Sequence, residues 1–392
     1  MRLVGPAAHQ LIAPQHPAGG VAAVQAQARF VGRPAGPRPA LHGHNHPLAI
    51  ARVATVMELA RLLGWLDADK LQASSEATFE QLAGFHTRRY LAALRRADAL
   101  QQVEPAVRQL HNIGTLENPV FPGVFRQAAL AVGGSILAAD LALEGHLPFH
   151  PAGGTHHGRP DRASGFCYLN DPVFAIRRLL ERGVDRVAYV DIDAHHGDGV
   201  EDAFATEARV RVLSIHEAGR WPHTGAEPGC GAGGAFNLPV PRGLNDSEFA
   251  WLFDEAILPR VEEFRPDAIV ITCGADGLAG DPLAGMELSN LALWAAVDAI
   301  RALAPATVVL GGGGYNPWTV ARCWTGLWGR LSGREVPATL PLDARALLSG
   351  LACDLVEEEE IRPEWISTLA DEPRHGTIRP AVRDLAAALT TG

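Results

Sequence analysis

The stretch VAYVDIDAHHGDGVEDAF (187–204) decides the architecture. Its first residues are apolar almost without interruption and then give way to acids, histidines and glycine. Continuous rather than alternating apolarity is what a strand covered by helices on both faces requires, because neither face meets water. Three more runs share the form: VRVLSIH (210–216), AIVITCGAD (268–276) and ATVVLGGGG (306–314). Helical spacing recurs near 84–98, 124–144, 172–182, 247–264, 288–304 and 317–331. From Pro47, the residues Ile50, Val53, Met57, Ala60 and Leu63, followed by Gly64, predict one further amphipathic helix. The pattern is that of an α/β protein on a parallel sheet. No linker or internal repeat divides these strands, so a single domain is expected.

All four runs end in reactive residues: Asp191 and Asp193, then Ser214 and His216, then Asp276, then the glycines leading to Tyr315. In open α/β sheets ligands bind beyond the carboxyl ends of the strands. The candidate chemistry therefore converges on one edge of the sheet.

Composition narrows the class. The 392 residues are 47 % hydrophobic and 20 % charged with a mean hydropathy of +0.03, the profile of a globular chain. Net charge is −10, Lys70 is the single lysine, and no basic stripe exists, which argues against nucleic acid as a partner. Five widely spaced cysteines (167, 230, 273, 323 and 353) form no C-x-x-C pair, so neither a disulfide framework nor a cysteine-rich zinc site is indicated, and a reducing cytoplasm is the expected setting. Prolines break the N-terminus, and the uncharged run near 302–321 carries four consecutive glycines and two prolines. Neither a signal peptide nor a membrane span is expected. Residues 1–44 are rich in Gly, Pro and Ala and have no assigned role, with the catalytic domain expected over 45–392. Of 16 histidines, eight lie between 146 and 223, a crowding that calls for a chemical explanation.

In DAHHGD, Asp193 and His195 are two apart, so at a strand end both side chains can serve one metal. An isolated D-x-H is more often a hydrogen-bonded loop device, but here Asp276 ends another strand and supplies a third ligand. Three protein ligands leave a position for water, the arrangement of a catalytic metal. The tandem His156-His157 can act as general base and acid if carboxylates fix their tautomers, and Asp191 and Asp198 are the spare carboxylates. The tract LGGGGYNPW has neither the phosphate-cradling nor the dinucleotide pattern. Its glycines are read as letting the backbone approach a substrate, with the Tyr315 hydroxyl as an oxyanion donor.

These residues resemble the histone deacetylase family of the arginase-like superfamily. The resemblance runs from His46-Pro47 to Trp328 and rests on ENPVFPG (117–123), AGGTHHG (152–158), ASGFCYLND (163–171), YVDIDAHHGDGVEDAF (189–204), CGADGLAGDPL (273–283) and LGGGGYNPWTVARCW (310–324). GFCYLND and Tyr315 look more like the class I and bacterial acetoin-utilization branches than class IIa. The resemblance implies one α/β domain with an eight-stranded parallel sheet. It implies Asp193, His195 and Asp276 as zinc ligands, iron(II) not being excluded, and His157 with Asp198 as the main general base and acid. His156 with Asp191 would tune the electrostatics, and Tyr315 would polarise the amide carbonyl. Gly165 and Phe166 would line an acyl-lysine channel opposite Trp221, with Leu283 at its rim. Asp191, Asp193, His195 and Ser214 resemble a monovalent-cation site, usually potassium.

The implied activity is removal of acetyl or other acyl groups from lysine side chains of proteins. The alternative is an acetylpolyamine amidohydrolase acting on small acylated amines, although Leu283 and Trp221 supply no rim acid for a polyamine. An arginase-type reaction would need a second metal and two acids two residues apart near Asp276, which are missing, and a silent acyl-lysine reader would need a damaged metal or tyrosine position. Oligomerisation is left open. The chain departs from the family at three places. Glu117 stands where the family often has an Asp that grips the substrate backbone, WPHTG (221–225) replaces PGTG and puts His223 at the mouth, and the first forty or so residues align with nothing.

Overall fold

The computed structural model describes residues 26–32, 46–230 and 234–390. Among the described residues nine strands form one sheet: β1 (Gln27–Val31), β2 (Leu71–Gln72), β3 (His146–His150), β4 (Val187–Asp191), β5 (Val210–Glu217), β6 (Gly229–Cys230), β7 (Phe236–Val240), β8 (Ala268–Thr272) and β9 (Ala306–Leu310), in the order β2-β1-β3-β9-β8-β4-β5-β7-β6. Eight are parallel, and the two-residue β6 adds to β7 in the antiparallel sense at one edge. β1 lies inside the Gly/Pro-rich segment and pairs with β2 and β3, so the sheet begins before position 45. The remainder of 1–44, apart from residues 26–32, lies outside the described residues.

The central strands are buried on both faces, as their continuous apolarity requires. Ala188 and Val190 of β4 and Ile269 and Ile271 of β8 enter one core, while Val187, Tyr189, Ala268 and Val270 enter the core on the opposite face. Helices Arg52–Leu62, Asn290–Arg301 and Pro317–Leu331 help cover the first face. The helix expected from Pro47 starts only at Arg52, after a single 3-10 turn at Pro47–Ala49. The helix expected over 247–264 is interrupted by a π turn at Phe253–Ile257, just before Pro259, whose missing N–H breaks the ordinary ladder.

Helix Val124–Leu143, with mean hydropathy 1.3 over its most apolar window, is long and apolar enough to cross a membrane. It is packed as a core helix: Ala138, Ala139, Leu141 and Ala142 join the second core, and a Cβ on Gly134 would fall 2.4 Å from the His150 ring.

The register brings the reactive strand ends level. Asp191 pairs with Ser214 on one side and with Thr272 on the other, and Thr272 pairs with Leu310. The residues that follow, Asp193 to Asp198, Asp276 and the glycine tract, therefore leave the sheet at one edge.

Candidate active site and metal centre

Asp193, His195 and Asp276 meet at the carboxyl ends of β4 and β8. One ligand atom from each lies within 4.8 Å of the others, and all three residues are buried. His195 Nδ1 is 2.9 Å from Asp276 Oδ2 and 3.2 Å from Asp193 Oδ1. Backbone amides steady both acids: Ala194 N–H donates to Asp276 (2.9 Å) and Gly313 N–H to Asp193 (2.5 Å). Side chains have no room in the glycine tract here, because a Cβ on Gly313 would stand 2.0 Å from Asp276 Oδ2 and one on Gly312 2.8 Å from Asp193 Oδ2. The glycines thus admit backbone to the acid cluster itself, a different role from the approach to substrate expected of them.

The donor set suits a divalent metal. Burial, then the neighbouring Asp193 charge, push the Asp276 carboxyl up, a penalty that a cation held between the two acids relieves. Two carboxylate oxygens and one imidazole nitrogen are hard to borderline donors and three in number, as in catalytic centres that keep a position open.

Beside this cluster, His156 and His157 pack with ring centroids 3.9 Å apart, each turning Nδ1 to its own carboxylate. His156 Nδ1 is 2.7 Å from Asp191 Oδ2, and His157 Nδ1 is 2.8 Å from Asp198 Oδ1. Burial draws His156 down, but Asp191 and Asp193 outweigh it and the imidazole ends at about 9. For His157, burial and the positive His156 beside it outweigh Asp198, and the imidazole falls to about 3. Two adjacent histidines are thus driven in opposite directions, which separates their roles.

A cavity of about 750 Å³ opens over the cluster. His157, His195 and Tyr315 lie at its base, Gly165, Phe166 and Trp221 form walls, and Glu117, Leu283 and His223 also line it. The Trp221 ring stands edge-on to His157 at 4.7 Å, and Phe166 edge-on to Tyr315 at 5.8 Å. Tyr315 is buried and its N–H donates to Asp281 Oδ2 (2.7 Å). Ser214 Oγ pairs with His216 Nδ1 at 2.9 Å, and the His216 Nε2–H donates to the Gly225 carbonyl (3.0 Å). His196 bridges Thr224 and Glu201, at 2.8 Å each. These two histidines brace the loop carrying Trp221. His150, left without a role by the sequence, joins β1 to helix Val124–Leu143 through the carbonyls of Val31 and Ala131 (3.1 Å each).

Four supporting residues are not evident from sequence. Arg159, two positions after His157, donates to the outer oxygen of Asp198 and to Asp202. Arg52 donates to the Gly312 carbonyl (2.7 Å) beneath the glycine tract. Asp171 takes the N–H groups of Gly154 (3.0 Å) and Thr155 (2.7 Å), fixing the turn before the tandem histidines. Asp281 accepts from the N–H groups of both Tyr315 and Leu283 (2.9 Å), tying the tyrosine to the rim. Asp171 and Asp281 stand inside motifs already noted, yet only the folded contacts reveal what they hold.

Comparison with known proteins identifies relatives of this chain. The model of the histone deacetylase domain matches residues 46–331. The chain is 35 % identical over 309 residues to the probable histone deacetylase 1-B of Xenopus laevis, covering 76 % of this chain and 64 % of that protein. It is 33 % identical over 298 residues to histone deacetylase 8 of Xenopus tropicalis, covering 74 % and 80 % respectively. The crystal structure of an HDAC homolog from Aquifex aeolicus superposes with a TM-score of 0.84 at 36 % identity, over 92 % of this chain and 99 % of that one. The domain match, the relatives and the shared fold place this chain in the histone deacetylase family, whose members are hydrolytic deacetylases.

Proposed function

We propose that the protein is a zinc-dependent amide hydrolase that removes acetyl or other acyl groups from lysine side chains of proteins. The observation that carries this reading is one cavity lined by His157, His195 and Tyr315, with His195 in the Asp193–His195–Asp276 cluster and His157 paired with Asp198. Zinc held by those three residues would supply Lewis-acid polarisation of the amide carbonyl and a water acidified toward neutrality.

The protein's own groups do the rest. Asp198 holds the Nδ1 proton of His157, leaving Nε2 free to take a proton from the attacking water and return it to the leaving amine. His156, against Asp191, supplies positive charge beside the reacting carbonyl. Tyr315, anchored through Asp281, offers its phenol O–H to the developing oxyanion. Phe166 and Trp221 supply apolar walls for an uncharged acyl chain and the methylene stem of lysine. Asp191, Asp193, His195 and Ser214, at the level ends of β4 and β5, are our candidates for a potassium site bracing the ligand loop. Free thiols at Cys167, Cys273, Cys323 and Cys353 support a cytoplasmic setting.

Action on small acylated amines is a second reading, favoured by the inward engagement of Glu117 with Gly165 N–H. The deciding experiment measures hydrolysis of an acetyl-lysine peptide, longer acyl-lysine peptides and acetylpolyamines by one zinc-loaded preparation, with an iron(II)-loaded one in parallel. Turnover of the lysine peptides is expected. Exclusive turnover of polyamines would overturn the lysine assignment, and activity with iron(II) alone would overturn zinc.

A further inference from the structure

The wall residues Gly165 and Phe166 form the tip of a two-residue hairpin, closed by Ser164 N–H to Cys167 carbonyl (3.1 Å) and Cys167 N–H to Ser164 carbonyl (2.8 Å). Both tip residues are left-handed, at φ 54° and 65°. Such a turn needs positive φ at both central positions, which glycine meets freely and phenylalanine does not. A Cβ on Gly165 would also fall 2.3 Å from the Trp221 ring. The tip that faces the substrate is therefore a conformation that must be held from outside.

Glu117 holds it. Its Oε1 accepts the Gly165 N–H (2.9 Å), while Oε2 accepts the side-chain amides of Asn112 (2.8 Å) and Asn118 (3.1 Å). The Asn112 amide also donates to the Ala163 carbonyl (3.1 Å), fastening the same segment a second time. A carboxylate has about four acceptor positions. Three are filled by this chain, with both oxygens engaged. Gripping two amide groups of a peptide would require Glu117 to release part of its own wall.

We infer that Glu117 is a positioning residue for the Gly165–Phe166 wall and not a clamp on the substrate main chain, so that the enzyme selects the acylated amine through its acyl group and stem with little regard to an attached peptide. This rests on the deacylase reading and narrows its substrate class.

The test compares the zinc-loaded wild type with Glu117→Ala, Glu117→Asp and Glu117→Gln on an acetyl-lysine peptide and on monoacetylated putrescine, and follows hydrogen exchange of the Gly165 amide. Loss of a charge-assisted hydrogen bond should speed that exchange on the order of tenfold to a hundredfold in the Ala variant, and in the Asp variant, which is a methylene too short. In both, kcat/KM should fall by a similar factor for both substrates. Glu117→Gln should rescue exchange and turnover in part, because its oxygen can face Gly165 and Asn118 can turn its unpartnered Oδ1 to the new amide, while Asn112 keeps only its bond to the Ala163 carbonyl. A loss confined to the peptide substrate, with Gly165 exchange unchanged, would make Glu117 a clamp and overturn the inference. A wild type that hydrolyses neither substrate would defeat the deacylase reading instead, while the exchange measurement would still decide whether Glu117 holds the wall.

Discussion

Replacing Asp198 by Asn tests whether His157 works through a fixed tautomer. In the wild type, Oδ1 faces His157 Nδ1 at 2.8 Å and Oδ2 faces the guanidinium of Arg159. Arg159 can only donate, so the single oxygen of an asparagine must turn toward it. The new NH2 then faces His157 Nδ1 and donates to it. The imidazole proton is driven to Nε2, the nitrogen that receives a proton from water in the proposed mechanism. Fold, burial and metal ligands are untouched, yet the base is disabled. In the Ser-His-Asp triad of serine proteases, where the acid fixes the histidine tautomer in the same way, an Asp→Asn change lowers kcat by about 10⁴. A comparable loss here, ~10³ to 10⁴, corresponds to roughly 4 to 5.5 kcal/mol of activation free energy.

Arg159 makes the argument refutable. Arg159→Met keeps most of the side-chain volume and removes every donor, so in the double variant the asparagine is free to turn its oxygen back to His157. Turnover of the double variant should exceed that of Asp198→Asn alone by at least about tenfold, a recovery worth roughly 1.4 kcal/mol. The assay is steady-state hydrolysis of an acetyl-lysine peptide, with zinc content and thermal midpoint recorded for each variant. If both variants bind zinc and melt normally but the double is no faster than the single, the tautomer argument is wrong and Asp198 acts by charge alone.

Tyr315→Phe should retain zinc and fold while losing on the order of 100- to 1000-fold in kcat, and near-normal turnover would remove Tyr315 from the oxyanion role. Asp276→Ala should abolish retention of one equivalent of zinc in metal analysis, and zinc added to the stripped wild type should raise its thermal midpoint but leave that of the variant unmoved. Gly165→Ala should cut turnover sharply, since its methyl would meet both Trp221 and His157 at 2.3 and 2.7 Å in a left-handed backbone; unchanged kinetics would mean the wall is softer than its packing implies. His86 accepts the Asn170 N–H at Nε2 (3.1 Å) and faces the Arg159 carbonyl through Nδ1 (2.9 Å), and burial lowers it from 6.5 to about 4. Only the unfolded chain takes up that proton between the two values. The stability His86 confers is thus complete above 6.5 and lost as the pH falls toward 4, by on the order of 3 kcal/mol. In urea unfolding, His86→Gln should flatten the pH dependence over that window, and a parallel curve would refute the assignment.

The strands legible in sequence are those whose physics is local. β4, β5, β8 and β9 are apolar on both faces and stand out as runs. β3 and β7 are equally parallel, but Pro148 and Pro239 interrupt them, and a strand proline removes a ladder donor and argues against a central position. β1 is hidden for another reason: five residues in a Gly/Pro-rich segment become a strand only because β3 lies alongside with free edge groups to pair. The acid cluster divides the same way. Asp193 and His195 are neighbours along the chain and Asp276 ends a recognisable run, so residue type and place on the sheet edge suffice to group them.

What sequence does not supply is the direction in which a side chain turns after the backbone has brought it to the site. Glu117 lies at the cavity, as its motif implies, but its carboxylate does not wait there for a substrate. The deciding fact is that Gly165, 48 positions later, offers it an N–H at 2.9 Å. Arg159 lies two residues from His157, yet it matters only because helix Asp198–Phe204 returns Asp198 and Asp202 beneath it. Spacing along a chain predicts which groups share an edge. Which of them bind each other, and which are left for a substrate, is settled by competition among donors and acceptors that meet only after folding. In this protein that competition takes Glu117 for the wall, and the proposed mechanism draws on His157 Nε2 and the Tyr315 hydroxyl.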